Sequence, residues 1–182
     1  MLCYNYHYNM YNNIATLLTN IIAIDQELRK NKIFGASLMR KFDCVSTDII
    51  KALVDKFGLP APENVGAKAA KYFIVLLIHT TDMKYVSKLS KSPEFKKVDY
   101  DKTDLAILED RILLFEGKKQ CFGTVIETKK DKNGNLVTKP RPTKDEKNVD
   151  KRRKEYGLSP LADYLKSSEE IFKRFLQDKP EK

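Results

Sequence analysis

The chain has two histidines, and only His79 stands where an imidazole could move a proton. It belongs to His79-Thr80-Thr81-Asp82, at the end of an apolar run from Ala67 to Ile78. If that helix continues, His79 and Asp82 lie three residues apart on one side and can touch. A carboxylate against an imidazole selects its tautomer, which suits general acid–base work, with His79 as the acid or base and Asp82 as its orienter. The plainer reading is a histidine closing a buried helix, where positive charge complements the helix dipole. His7, in the Tyr- and Asn-rich start, reads as an incidental surface residue.

Four further groups could bind a ligand. Asp25 and Arg29 are four apart on a predicted helix and can pair, either in a site or as a solvated ion pair. Asp110 and Arg111 are neighbours, so on a helix they point about 100° apart. The leucines that follow widen the apolar arc and place at least one of these two charges near protein. Gln120 and Thr124 share a face if they lie on a strand, and Gly123 allows close approach of backbone or ligand. Arg152 and Arg153, beside Asp150, suit bidentate grip of a carboxylate or phosphate, or else form a solvated basic face.

The common templates are missing. There is no GxxxxGK[ST] or GxGxxG loop, no HExxH and no GxSxG. Cys3, Cys44 and Cys121 have no metal-ligand spacing and are odd in number, which points to a reduced compartment, to no metal centre and to no cofactor.

These residues need elements to position them. Residues 1–13 read as a flexible leader without helical period. Ile14–Lys30 is amphipathic, with Ile14, Leu17, Leu18, Ile21, Ile24 and Leu28 as its stripe. Ser46 or Thr47 caps a helix that Gly58 and Pro60 end. Pro60–Gly66 is a connection, Ala67–Ile78 a buried helix, Met83–Ser92 a short helix and Glu94–Asp101 a charged connection. Thr103 caps a helix with Leu105, Leu108, Ile112 and Phe115 inward and Gly117 as its stop.

Gln120–Glu127 and Leu136–Lys139 read as a β-hairpin around Asn133-Gly134, a strong turn signal. A charged helix or turn follows up to Gly157, and Ser159-Pro160 opens a last helix. The expected fold is mainly α (α+β). It is one helical bundle over residues 14–176 with a single hairpin, 120–140, inserted before the C-terminal helices, and a fraying tail at 177–182.

The +9 net charge is concentrated, with eleven Lys/Arg against four Asp/Glu between Lys129 and Lys154. That is one basic segment rather than a basic face. Tyr156 is the only aromatic near it, so stacking on nucleic-acid bases is poorly provided for. No apolar run reaches the ~20 residues of a membrane span, and the first apolar stretch has no basic region before it. A cytoplasmic protein without membrane attachment is expected. Nothing in the sequence indicates an oligomeric state.

The motifs in their order resemble an uncharacterised bacterial family, one of the domains of unknown function. They are Asp25-Gln26 with Arg29, Gly58-Leu59-Pro60, Val65-Gly66, and His79 with Asp82. Asp110-Arg111, Gly117, Gln120 with Gly123-Thr124, Val149-Asp150 with Arg152-Arg153, and Gly157-Leu158 through Tyr164-Leu165 continue the pattern. Phe122 and Val125 depart from the tyrosine and glutamine usual there, and the Lys129–Lys132 run lies outside the pattern.

What the resemblance implies is a shared polar pocket. Three functions follow as expectations. The first is a small metal-independent enzyme or ligand-binding domain, its pocket built from the residues above, for a small anionic or amide-bearing molecule or peptide. The second is a protein-interaction or defence-associated module in which the same residues form a structural network. The third is nucleic-acid binding through Lys129–Lys154.

Overall fold

Apolar period, glycine stops and prolines divide the chain into helices, and the structure, a computed structural model, is mainly helical as that division implies, with its first two helices longer than expected. It describes the backbone of residues 2–30 and 35–177 and the side chains of 9–30 and 35–174. The side chains of His7, Phe175 and Leu176, and residues 178–182 of the expected tail, lie outside the described residues. Among those described there are nine α-helices and one two-stranded antiparallel hairpin, the mainly helical architecture expected. No helix among them is long and apolar enough to cross a membrane. The chain divides into two compact units, Met1–Asp104 and Leu105–Lys182.

In the first unit, α1 (Leu2–Lys30) packs on α2 (Gly35–Phe57), α3 (Pro62–Val65) and α4 (Ala67–His79). α1 is helical from Leu2, so the stretch read as a flexible leader without helical period extends the helix. Its buried face is Ile14, Leu18, Ile21, Ile22 and Asp25, while Leu17 and Ile24 are exposed. The stripe is rotated from the expected one, and the rotation carries a carboxylate into the interior.

α2 begins eleven residues before the expected cap at Ser46. Ser46 and Thr47 lie mid-helix, and their hydroxyls donate back to the Asp43 carbonyl. The same chemistry that caps a helix also satisfies a hydroxyl inside one. Gly58, at φ 77°, ends α2 by donating to the Val54 carbonyl at 2.9 Å.

α4 supplies the central apolar wall, including Phe73, Ile74 and Leu77. α5 (Met83–Ser90) is capped by Asp82, and α6 (Pro93–Lys97), expected as a connection, is capped by Ser92 with Phe95 buried.

α7 (Lys102–Phe115) starts at the end of the first unit and continues into the second. The Asp101 carboxylate accepts from the Thr103 and Asp104 amides, so Asp101 takes the capping role assigned to Thr103. Leu108 and Ile112 are buried, but Phe115 is 54% exposed.

After Gly117 the chain does not form the expected strand at Gln120. β1 is Ile126–Lys130, paired with β2 (Leu136–Pro140) in the register Thr128 to Thr138. The turn at Asp131–Asn135 holds Asn133-Gly134, with the Asp131 carboxylate accepting from the Asn133 and Asn135 amides. A 3-10 turn at Glu146–Asn148, α8 (Val149–Glu155) and α9 (Leu161–Gln177) complete the unit, and α9 packs on both strands.

Candidate functional site

Rotation of α1 places Asp25, 1% exposed, at the centre of the first polar cluster. Its carboxylate lies 3.0 Å from His79 Nδ1, 2.9 Å from Gln26 Nε2 and 3.0 Å from Arg29 Nε. Arg29 also donates to Asp43 Oδ1 at 2.6 Å. The Asp25–Arg29 pair thus forms as its spacing predicts, but inside the protein rather than as a solvated pair. Asp25, Gln26, Arg29 and His79, from two motifs 54 positions apart at the Asp25–His79 contact, meet at one carboxylate.

Burial alone would raise the Asp25 pKa. The hydrogen bonds from His79 and Arg29 outweigh it and hold the group at about 2. Asp43 goes the other way: burial raises it, and Arg29 only partly offsets that. Nothing in the local sequence marks Asp43 as a partner of Arg29, because a contact between two helices leaves no spacing pattern.

An ionised Asp25 can only accept, so Nδ1 of His79 carries the proton that faces it, and in the neutral ring Nε2 is then the nitrogen with the lone pair. The His79 side chain is 22% exposed, and Nε2 has no hydrogen-bond partner among the described residues. A ring held at one nitrogen and accessible at the other is the arrangement a general base requires.

Asp82 does not orient His79. α4 ends at His79 and the chain turns at Thr80, so the helical spacing that would have joined them is lost. The Asp82 carboxylate instead accepts the Tyr85 amide and pairs with Lys51 at 2.9 Å. Thr47 Oγ1 meets Thr80 Oγ1 at 2.9 Å and accepts the Thr81 amide, which fastens the turn after His79 to α2.

The second unit has its own polar cluster, centred on Asp110. This side chain is fully buried and accepts from the amides of Cys121, Phe122 and Thr124 and from the Thr124 hydroxyl, at 2.7–3.2 Å. Residues 120–125 therefore wrap a carboxylate instead of extending as a strand, and Gln120 and Thr124 do not share a strand face. Gly123, at φ 70°, lets the chain turn there. A Cβ on it would stand 3.0 Å from a Leu161 methyl.

Gln120, also fully buried, donates to the Val125 and Arg141 carbonyls and accepts the Val125 amide. Replacing it by leucine strands the Val125 amide and takes one of two donors from each carbonyl, Val125 keeping the Arg141 amide and Arg141 the Thr143 hydroxyl. Gln120→Leu is expected to cost about 2–3 kcal/mol, read as a lower urea midpoint with unchanged slope. A midpoint equal to wild type would refute the clamp.

The two arginines turn inward. Arg153, 1% exposed, donates to the carbonyls of Ser159 and Phe122 and lies over the Tyr164 ring at 5.0 Å. Arg152 donates to the carbonyls of Cys121, Lys144 and Asp145. Asp150 accepts the Leu161 amide at the start of α9. Tyr164, which spacing did not single out, donates to the Thr124 carbonyl at 2.8 Å.

These two arginines are therefore drawn out of the basic segment, and the Tyr156 ring packs tilted against Phe122, centroids 4.6 Å apart. Arg111 is half-buried. Burial, followed by the Glu109 and Asp110 carboxylates, pushes the Cys121 thiol up, opposite to what a nucleophilic thiolate needs. Among the described residues no group of three or more His, Cys, Asp or Glu is placed to hold a metal ion.

A helical domain whose motif residues gather into buried polar clusters is the class this chain defines. It belongs to DUF6624, a family of unknown function, whose model matches residues 12–176. No curated protein and no solved structure matches it.

Proposed function

We propose that this chain is a small enzyme or ligand-binding domain whose working group is His79, poised by Asp25 and locked by Arg29. The observation that carries the reading is the buried Asp25 carboxylate 3.0 Å from Nδ1 of a partly exposed imidazole. His79 Nε2 would take or give the proton, and Asp25, rather than Asp82, would hold the ring. Arg29 serves Asp25 and Asp43, so its part is positioning. The ligand class proposed is a small anionic or amide-bearing molecule, including a peptide side chain. The free thiols of Cys44 and Cys121 fit the reducing cytoplasm proposed for it.

A thermal-shift screen of small carboxylates, phosphates and amides tests this. A true ligand at hundredfold excess over its Kd should raise the melting temperature by roughly 5 °C or more in wild type, and not in His79→Gln. A screen without hits, or an equal shift in the variant, would overturn the proposal.

One observation favours a second reading for the second unit. The polar groups of Asp110, Gln120, Arg152 and Arg153 are directed at their own main chain, as in an interaction module pinned by a structural network. Under that reading their substitution changes stability and leaves ligand binding at His79 intact.

A further inference from the structure

α1 and α2 carry more apolar surface than the core of the first unit uses. Ile14, Leu18 and Ile21 of α1 and Ile50 and Leu53 of α2 face the interior. A second apolar line runs along the outside of each helix. On α1 it is Met10, Leu17 and Ile24, and on α2 it is Leu38, Val45 and Ala52, every step being seven residues. Ile24 is 51% exposed and Val45 57%. Among the described residues, Leu17, Ile24, Leu38, Val45 and Phe57 are five of the seven large apolar side chains left exposed. Exposed apolar residues are usually scattered singly, and a gathered set marks a contact surface.

The two lines lie side by side. Arg29, near the end of α1, bonds to Met39 and Asp43, near the start of α2, so the helices run antiparallel. Between them Met10 and Leu17 on one side and Ile49 and Ala52 on the other border a groove of about 540 Å³. A seven-residue repeat keeps side chains in line along a helix pair, which is the pattern that seats knobs in the holes of a facing pair.

Charge identifies the facing pair. From Asn9 to Ile24 there is no Asp, Glu, Lys, Arg or His, in a chain that is 32% charged and carries +9. The exposed polar residues there, such as Asn13, Thr16 and Asn20, bear amides and hydroxyls. Those groups both donate and accept, so they can pair with copies of themselves, as an ammonium group cannot. A two-fold interface sets a surface against itself, and two +9 chains repel wherever it is charged. A charged partner would find no counter-charge on α1. A helix lying on a membrane would show Lys or Arg on its polar face, and this one shows none.

We propose that the α1–α2 face is the interface of a homodimer, in which two such helix pairs close a four-helix arrangement. The repeat spans about 21 Å of helix and a width of two helices, roughly 20 Å. That footprint, roughly 400 Å² in projection, is at the low end of specific interfaces and fits a reversible dimer of micromolar affinity rather than an obligate one.

Sedimentation velocity of the full chain over a concentration series tests the proposal. A reversible monomer–dimer equilibrium is expected, and it should tighten several-fold as salt rises, because screening relieves the repulsion between like-charged chains. Ile24→Lys/Val45→Lys should weaken it about tenfold or more by setting like charges together. Both replaced side chains are more than half exposed, and circular dichroism checks the fold. Phe115→Lys, at a comparably exposed position of the second unit, should leave the equilibrium unchanged, as should His79→Gln, which separates this proposal from the one at His79. A monomer at every concentration up to about 1 mM overturns the proposal. So does a dimer that the double variant leaves intact or that weakens as salt rises, and so does a chain that stays monomeric but is retained on phosphatidylcholine vesicles.

Discussion

Asp110→Ala should destabilise the second unit more than any other single substitution in it. The variant removes the common acceptor of three amides and one hydroxyl, all at 2.7–3.2 Å from a fully buried carboxylate. The Phe122 and Thr124 donors are buried and cannot reach solvent without the 120–125 loop unwrapping, while the Cys121 amide is part-buried. Each abandoned buried donor costs about 1–3 kcal/mol, partly relieved by local rearrangement, so a total of about 3–5 kcal/mol is expected. Against a usual stability of about 5–15 kcal/mol that is a large fraction, equivalent to roughly 10 °C in melting temperature. The local signature is faster hydrogen exchange at the Phe122 and Thr124 amides. Asp110→Asn should fall in between, because its carbonyl still accepts while its NH2 faces donors. A melting temperature within about 2 °C of wild type for Asp110→Ala, with protected amides, would show that the loop is held by something else.

What was legible in the sequence follows the range of the interaction responsible. α4, α5 and the end of α7 lie where apolar period and glycine stops put them, because those signals act within a few residues. The hairpin turn is equally local: Asp131 and Asn133-Gly134 shape it without help. Asp25 and Arg29 pair as an i,i+4 spacing predicts, yet which face of α1 is buried depends on α2, α3 and α4, and that moved the pair indoors. His79 and Asp82 failed as a pair because three-residue spacing has meaning only while the helix lasts. Gln120 and Thr124 have the look of a strand, but the strand lost to a carboxylate ten residues upstream of Gln120 that offered the backbone better acceptors than a ladder could. Arg152 and Arg153 carry no sequence mark that distinguishes inward from outward donation.

Asp25→Asn separates the structural from the chemical role of the first cluster. In wild type the ionised carboxylate accepts from Nδ1–H of His79, leaving Nε2 as the basic nitrogen. An asparagine NH2 at the same place would donate to Nδ1 and shift the ring proton to Nε2, which disables the base while preserving shape. Nitrogen-detected NMR of His79 reads this directly, with the Nδ1–H tautomer expected in wild type and Nε2–H in the variant. If His79 is the working base, activity should fall about 10³–10⁴-fold, the scale of a wrong tautomer in a carboxylate–histidine pair. Loss of stability should be far smaller in effect, about 2 kcal/mol at neutral pH, from the drop in the Asp25 pKa from 3.8 to about 2. The pH dependence has a definite sign. A depressed carboxylate stabilises the fold above its unfolded value, and that contribution disappears as pH falls from about 4 through about 2. Asp43, raised by burial, opposes it, since protonation on acidification removes a buried charge and favours the fold. The stability gap between wild type and Asp25→Asn should therefore narrow on acidification, and Asp43 offsets part of the change because the Asp25 charge is one of the causes that raise it in wild type alone. A gap that stays constant from neutral pH down to pH 2, or an Nε2–H tautomer already present in wild type, would remove Asp25 as the group that poises His79.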